Sequence, residues 1–260
     1  MFNGFIASLS HTPFYPHWLD FLQSKKAKEK AISLFKGRVI ETGCGNAQFK
    51  EEALLENKKI TEYIATDYSS WDKDFKAQSK RIKKFGIFTE TLFGKPKDIN
   101  KIDKVCDALH LPFKNSSFDF YFSHSVLEHI KDPQKFFSEA SRVLKKKGVC
   151  VTLAPFLYRE HGTTKLDFYR PSRGAYELLS KEAGFSSIKI EPVCSFGATL
   201  TALVNQYVIC KIFDGNLITK IILLILSPFI FFCMNILGYI IEQVDHDPRF
   251  ALHYLVVMKK

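Results

Sequence analysis

Three acids, each at the close of an apolar run, define the chemistry open to this chain. Glu41 follows Val39-Ile40 and leads into Thr42-Gly43-Cys44-Gly45-Asn46-Ala47. Gly43 and Gly45 let the backbone pass close beneath a ligand, and the helix-compatible stretch after them, 48–56, offers unpaired N–H groups at its start. A carboxylate at position 41 would repel a pyrophosphate and suits a ligand that carries an ammonium or sulfonium group. Asp67 closes Tyr63-Ile64-Ala65-Thr66, about 20 residues beyond the glycine turn, where an α/β nucleotide site sets a carboxylate on ribose hydroxyls. Asp107, in Cys106-Asp107-Ala108, closes a further strand.

Elements of alternating type must hold these acids in place. The aromatic run Phe118 to His124 reads as a strand, followed by Ser125-Val126-Leu127-Glu128-His129. A helical pattern spans Pro133 to Lys146, Lys147-Gly148 is its stop, and Val149 to Ala154 is a buried strand. Strand–helix alternation through the first 155 residues predicts a parallel sheet with helices on both faces. Ligands of such sheets bind at the carboxyl ends of the strands.

In this order the motifs resemble the class I S-adenosylmethionine-dependent methyltransferases, in particular the broad type 11 group. The resemblance covers roughly residues 34–196. It rests on Glu41-x-Gly43-Cys44-Gly45, Asp67, Asp107-Ala108-x-x-Leu111-Pro112-Phe113, Leu127-Glu128-His129 and Arg142-Val143-Leu144-x-x-x-Gly148. It implies S-adenosylmethionine as cofactor. Glu41, Gly43 and Gly45 would line its methionine moiety, Asp67 would hold the ribose, Asp107 and Ala108 would face the adenine, and Ser123 and His124 would border the sulfonium. The third small position of the loop is Ala47 instead of glycine, and the spacing from Asp67 to Asp107 is longer than the family usually shows. His129 reads as a structural histidine that bonds backbone carbonyls.

The segment Pro155-Phe156 to His161, then Asp167-Phe168-Tyr169-Arg170-Pro171, collects a histidine, an acid, an arginine and aromatics after the fifth strand. It resembles a segment of type 11 methyltransferases found among surface-polysaccharide enzymes. His161 could take a proton from an acceptor hydroxyl, with Asp167 orienting its imidazole. An ordered loop held by an Asp167–Arg170 pair is the alternative.

The chain has 260 residues, a formal net charge of +10 and 46% hydrophobic residues, ample for one core domain with an insertion. The six cysteines are scattered with no Cys-x-x-Cys pair, a usage that fits a reduced compartment and neither a disulfide frame nor a metal site. Met1 to Leu9 lacks the basic start of a signal peptide. Much of the positive charge sits in a lysine-rich insertion, 71–102. Nucleic acid, an anionic membrane surface and a plain solvated face are the three readings of that insertion, and no RNA-binding module accompanies it.

The carboxyl-terminal third is apolar. Ile221 to Ile241 carries no charge and is long enough to span a bilayer. It lies, however, between two strands that the sheet requires, Ser187 to Val193 and Ala251 to Met258, so a single crossing would strand the seventh strand on the wrong side. A helical hairpin from about Ala198 to Ile241, turning at Asp214-Gly215-Asn216, resolves the conflict. It would dip into one leaflet with Lys211 and Lys220 at headgroup level, or pack against the core or a second subunit.

The expected architecture is a Rossmann-like doubly wound α/β sheet of seven strands, the last antiparallel, with the apolar hairpin between strands six and seven. Its divisions are an N-terminal helical segment 1–36, a core of 37–197 and 250–260, and the hairpin insertion 198–249. The expected function is methyl transfer from S-adenosylmethionine to an oxygen of a small-molecule saccharide or lipid-linked glycan. The expected place is the cytoplasmic side of a membrane, as a peripheral or monotopic protein that could pair as a homodimer through the hairpin. The alternatives are an RNA methyltransferase and a catalytically silent membrane-associated interaction protein.

Overall fold

The computed structural model describes residues 11–68, 99–160 and 166–260. Most of the basic insertion and His161 lie outside them. The described chain forms two compact units, one around the sheet and one around the carboxyl-terminal helices.

The sheet has seven strands in the order β3-β2-β1-β4-β5-β7-β6. These are β1 (Gly37–Thr42), β2 (Ile60–Asp67), β3 (Lys104–Val105), β4 (Phe118–His124), β5 (Leu144–Pro155), β6 (Ser187–Val193) and β7 (His253–Lys259). The first five run parallel, with Glu41 paired to Ala65 on one side and to Phe122 on the other. β7 is antiparallel: Lys147 near the start of β5 bonds Lys260, while Phe156 just past its end bonds Leu252. Strand order reverses between β1 and β4, the place where a doubly wound sheet opens a crevice for a ligand.

Side chains alternate across β4. Phe120 and Phe122 pack on Phe35, with ring centroids 4.7 and 5.1 Å apart, and Phe49 of the helix after β1 adds a third contact at 4.7 Å. Tyr121 points to the opposite face and meets Phe136. The helices of the sheet unit are α2 (Gln48–Glu56), α3 (Pro133–Val143), α4 (Arg173–Glu182) and the last turns of α1 (Trp18–Leu34). Asp132 caps α3 by accepting Lys135 N–H at 2.8 Å, with Pro133 in the first turn. Ser172 caps α4.

Two local expectations differ from the structure. The third helix stops at Val143, three residues before Lys146, and Leu144 already belongs to β5. Tertiary contacts end it. Ser116 and Ser117 donate to the carbonyls of Arg142 and Val143, and Leu144 pairs with Phe118. Lys147, at φ 65°, turns within the strand instead of capping a helix. The third strand is only Lys104–Val105, so Cys106 and Asp107 lie past its end and a turn follows at Ala108-Leu109.

The second unit is built on α5 (Phe196–Asp214) and α6 (Leu217–Glu242), joined at Gly215-Asn216 as an antiparallel hairpin between β6 and β7. The two helices approach closely through glycines: a Cβ on Gly197 would lie 2.3 Å from the Gly238 carbonyl oxygen. Glu242, at the end of α6, caps α5 by accepting the N–H groups of Ser195 and Ala198 at 2.9 and 2.8 Å. Asn205 and Asn235 donate to carbonyls of the amino-terminal segment, those of Pro16, Pro13 and Tyr15.

Candidate functional site

A cavity of about 670 Å³ opens in the sheet unit at the carboxyl ends of β1, β2 and β4. Thr42, Gly43 and Gly45 form its floor, and Asp67 and Tyr68 one wall. Asp107, Ala108 and Leu109 form a second wall. Val126, His129 and Lys131, with Leu166 and Phe168, close the remaining side. The volume lies within the range of small-molecule sites.

The glycine turn is shaped by backbone need. Gly43 has φ +70°, and a Cβ there would lie 2.2 Å from Val126 Cγ2. Gly45 has φ +55° with nothing within 4 Å of its missing Cβ, so open space stands over it. Ala47, also left-handed at φ 51°, occupies the position before α2 and is buried. A glycine's conformation is thus held by alanine, at a cost of about 1–2 kcal/mol.

Asp67 organises this turn. Its Oδ2 accepts Gly45 N–H at 2.7 Å, and its Oδ1 accepts Tyr68 N–H at 2.6 Å. Glu41 sits beneath, 2% exposed, and accepts from Tyr63 Oη at 2.9 Å. Burial, and then the Glu41 charge, push the Tyr63 phenol well above its usual range. Asp107 caps its own turn by accepting Leu109 N–H at 2.8 Å.

The structure therefore brings Gly43, Gly45, Asp67, Asp107 and Ala108 to one cavity. Glu41 and Ser123 are buried behind it, outside its lining. His124 is half-buried with its ring 5.1 Å from Phe49, also outside the lining. Asp167 is bound at two points by the Arg170 guanidinium, Nη2 to Oδ2 at 2.6 Å, which is the alternative pairing raised by the sequence.

Glu128 also shapes the site. Its backbone carbonyl accepts the N–H groups of Phe168 and Tyr169 at 2.7 and 3.4 Å, and the adjacent His129 Nδ1 lies 2.6 Å from the Leu166 carbonyl. The Leu127–His129 turn thereby fastens the wall that carries Leu166 and Phe168. Burial raises the Glu128 carboxyl to about 7, against the opposing pull of the Arg170 charge. Burial likewise lowers His129. Leu127-Glu128-His129 is the sequence signal for this turn. Tyr68 and Lys131, both in the lining, carried no separable pattern.

Residues 40–152 match the family model described as Methyltransferase domain. The uncharacterized protein MJ1123 of Methanocaldococcus jannaschii is 30% identical over 189 residues, which cover 67% of this chain and 78% of that protein. The chain belongs to the class I S-adenosylmethionine-dependent methyltransferases. A rice chloroplast protein, 2-methyl-6-phytyl-1,4-hydroquinone methyltransferase 2, is 34% identical over 92 residues, 34% of this chain and 26% of the rice protein. The malonyl-[acyl-carrier protein] O-methyltransferase of Hahella chejuensis is 40% identical over 58 residues, 22% of this chain and 21% of that one. The chain spans about a quarter of these last two relatives. Among solved structures, the [4+2]-cyclase SpnF superposes with a TM-score of 0.54 at 16% identity, covering 93% of this chain and 81% of that one. Phosphoethanolamine N-methyltransferase 2 of Haemonchus contortus, bound to S-adenosyl-L-methionine, gives 0.51 at 16%, covering 96% of this chain and 58% of that one. These two share the fold.

The residues of this methyltransferase fit its cofactor. Open space above Gly45 admits a ligand against the backbone, and Asp67, whose carboxylate accepts the Gly45 N–H, shares the cavity lining. Bound S-adenosylmethionine supplies a methyl group on a positively charged sulfur, next to which carboxylates are favourable and lysines are not. Two carboxylates, Asp67 and Asp107, reach the lining, against one lysine, Lys131.

Proposed function

We propose that this methyltransferase transfers the methyl group to an oxygen of a saccharide or lipid-linked intermediate at the cytoplasmic side of a membrane. In this reading Asp67 holds the ribose hydroxyls, Asp107 and Ala108 meet the adenine, and Glu41 acts from behind the glycine turn by its charge. Ser123 and His124, at the end of β4 and outside the lining, would act on the methyl group only from behind the cavity. The observation that carries the acceptor reading is the wall after β5. Leu166 and Phe168 give the cavity an apolar side, and the neighbouring sequence carries His161, Asp167 and Arg170, residue types that suit a polar hydroxyl.

The chemistry asks mainly for alignment and exclusion of water. The acceptor oxygen attacks in line, its O–C bond forming as the C–S bond breaks, and its proton passes to His161. Asp167, bound at both carboxylate oxygens by Arg170, holds residues 167–170 together. The relatives support an oxygen and a lipid in different ways. The Hahella enzyme is named for O-methyl transfer and the rice enzyme for a phytyl-bearing hydroquinone.

His161→Ala tests the base. Turnover should fall about 10²–10⁴-fold while affinity for S-adenosylhomocysteine stays within about twofold of wild type. Unchanged turnover would return His161 to a structural role. Transfer of labelled methyl from the cofactor into a membrane lipid fraction tests the acceptor, and label recovered in RNA would overturn it in favour of the second reading. That reading, an RNA methyltransferase, is favoured by the basic insertion and predicts retention on RNA columns.

A further inference from the structure

Helix α6 is inside out. Its buried face carries Ser227, Asn235, Gly238 and Glu242 with a single large apolar residue, Phe231. Its exposed face carries Ile218, Ile221, Ile225, Phe229, Phe232 and Ile240, at intervals of three, four and eight residues that stay on one side of the helix. Ile218 is 71% exposed, Ile225 72% and Phe229 69%. The stripe runs from Ile218 to Ile240 of this 26-residue helix, about 33 Å at the helical rise.

The polar groups are used inward. Asn235 donates to Pro13 and Tyr15, Thr201 of α5 donates to the Met234 carbonyl at 2.9 Å, and Glu242 caps α5. A water-soluble helix reverses this arrangement. An interface with another protein has a polar rim and about one hydrogen bond per 100–200 Å². From Ile221 to Ile241 the exposed side chains carry no charge and, apart from the Tyr239 hydroxyl and the Cys233 thiol, no hydrogen-bonding group. A face of this composition matches hydrocarbon better than a second polypeptide.

We propose that the α6 stripe lies in the plane of a membrane, immersed in the acyl region of one leaflet, with α5 and the amino-terminal segment on its polar back. Orientation follows from the charges. The turn between the helices holds Lys211, Asp214, Asn216 and Lys220, and a hairpin plunged tip-first would drag them into hydrocarbon. Laid flat, the hairpin leaves Lys211 and Lys220 at the depth of anionic headgroups. Lys211 Nζ already sits 5.3 Å over the Tyr207 ring, an aromatic 63% exposed beside it. The inference deepens the membrane part of the proposed function and is independent of the acceptor.

The test uses the full chain and vesicles of phosphatidylcholine with phosphatidylglycerol. The wild-type protein should float with the vesicles and resist extraction by alkaline carbonate. The triple variant Ile221→Ser, Ile225→Ser, Phe229→Ser should partition at least about 100-fold more weakly, since each large apolar side chain is worth about tenfold or more. Its affinity for S-adenosylhomocysteine should be unchanged, and because the three side chains are exposed their loss removes little packing. A measurement on the wild type needs no variant. Cys233 is an exposed free thiol on the stripe, and vesicles should protect it from a maleimide. Equal labelling with and without vesicles would overturn the proposal, as would release by carbonate. A protein that does not float, whether a monomer or a dimer that the triple variant dissociates, would overturn it too, the dimer assigning the stripe to a second copy. Loss of S-adenosylhomocysteine binding by the wild type would strike the methyltransferase reading instead and leave the stripe untouched.

Discussion

Gly43 is the position at which one methyl group should be felt most. Its φ of +70° costs an alanine about 1–2 kcal/mol, and the new Cβ would stand 2.2 Å from Val126 Cγ2 and 3.3 Å from Val126 Cβ. Such a distance forces Val126 to move, and overpacking of this kind typically costs about 1–3 kcal/mol. Gly43→Ala should therefore lower stability by about 2–5 kcal/mol and weaken S-adenosylhomocysteine binding, because Val126 and Gly43 both line the cavity. Val126→Ala removes Cγ1 and Cγ2 and leaves the closest remaining atom at 3.3 Å, a distance small adjustments absorb. In the double variant the clash disappears and the backbone strain remains, so about 1–3 kcal/mol of the loss should return. Urea denaturation of the four proteins gives the coupling energy, and calorimetry with S-adenosylhomocysteine gives the matching change in affinity. Strictly additive losses, with Val126→Ala restoring nothing, would refute the steric argument and leave φ strain as the whole effect.

Asp67→Ala should weaken S-adenosylhomocysteine binding by the roughly 1.5–3 kcal/mol typical of hydrogen bonds to a charged group, about 10–150-fold in Kd by calorimetry. A change under about threefold would remove Asp67 from the cofactor site. Glu128 titrates near 7 in the folded chain against an ordinary value of 4.5, so its protonated form is the one the fold prefers. Its stabilising contribution is complete below about 4.5 and is lost as pH rises through about 7. Relative to Glu128→Gln, the wild type should thus lose about 2–3 kcal/mol between pH 5 and pH 8 in urea titrations, and a pH-independent difference would contradict that sign. Glu242→Ala strips the α5 cap of a carboxylate that accepts from two N–H groups and the Ser195 hydroxyl. It should destabilise the hairpin unit by about 2–3 kcal/mol in thermal unfolding, with Glu242→Gln recovering part.

The sheet was legible in the sequence because its strands are short buried runs closed by chemistry that only a strand end uses. Val39-Ile40 into Glu41 and the glycines, and Tyr63 to Thr66 into Asp67, announce both the strand and the site at its carboxyl end. The hairpin was legible by elimination: two strands required on one sheet leave an apolar segment between them no choice but to leave and return. Tertiary structure decided what local pattern leaves open. Helical propensity ran on through Leu144 to Lys146, yet pairing with Phe118 and bonds from Ser116 and Ser117 drew those residues into β5. Which residues line the cavity was also a tertiary matter, since Phe168 and Leu166 reach it only through bonds to the Glu128 carbonyl and the His129 ring, 40 and 37 residues away. The sequence shows α6 to be apolar, but it takes the fold to turn its few polar residues inward. Asn235 and Glu242 find backbone partners there, and the apolar side chains, with none to find, are left facing out.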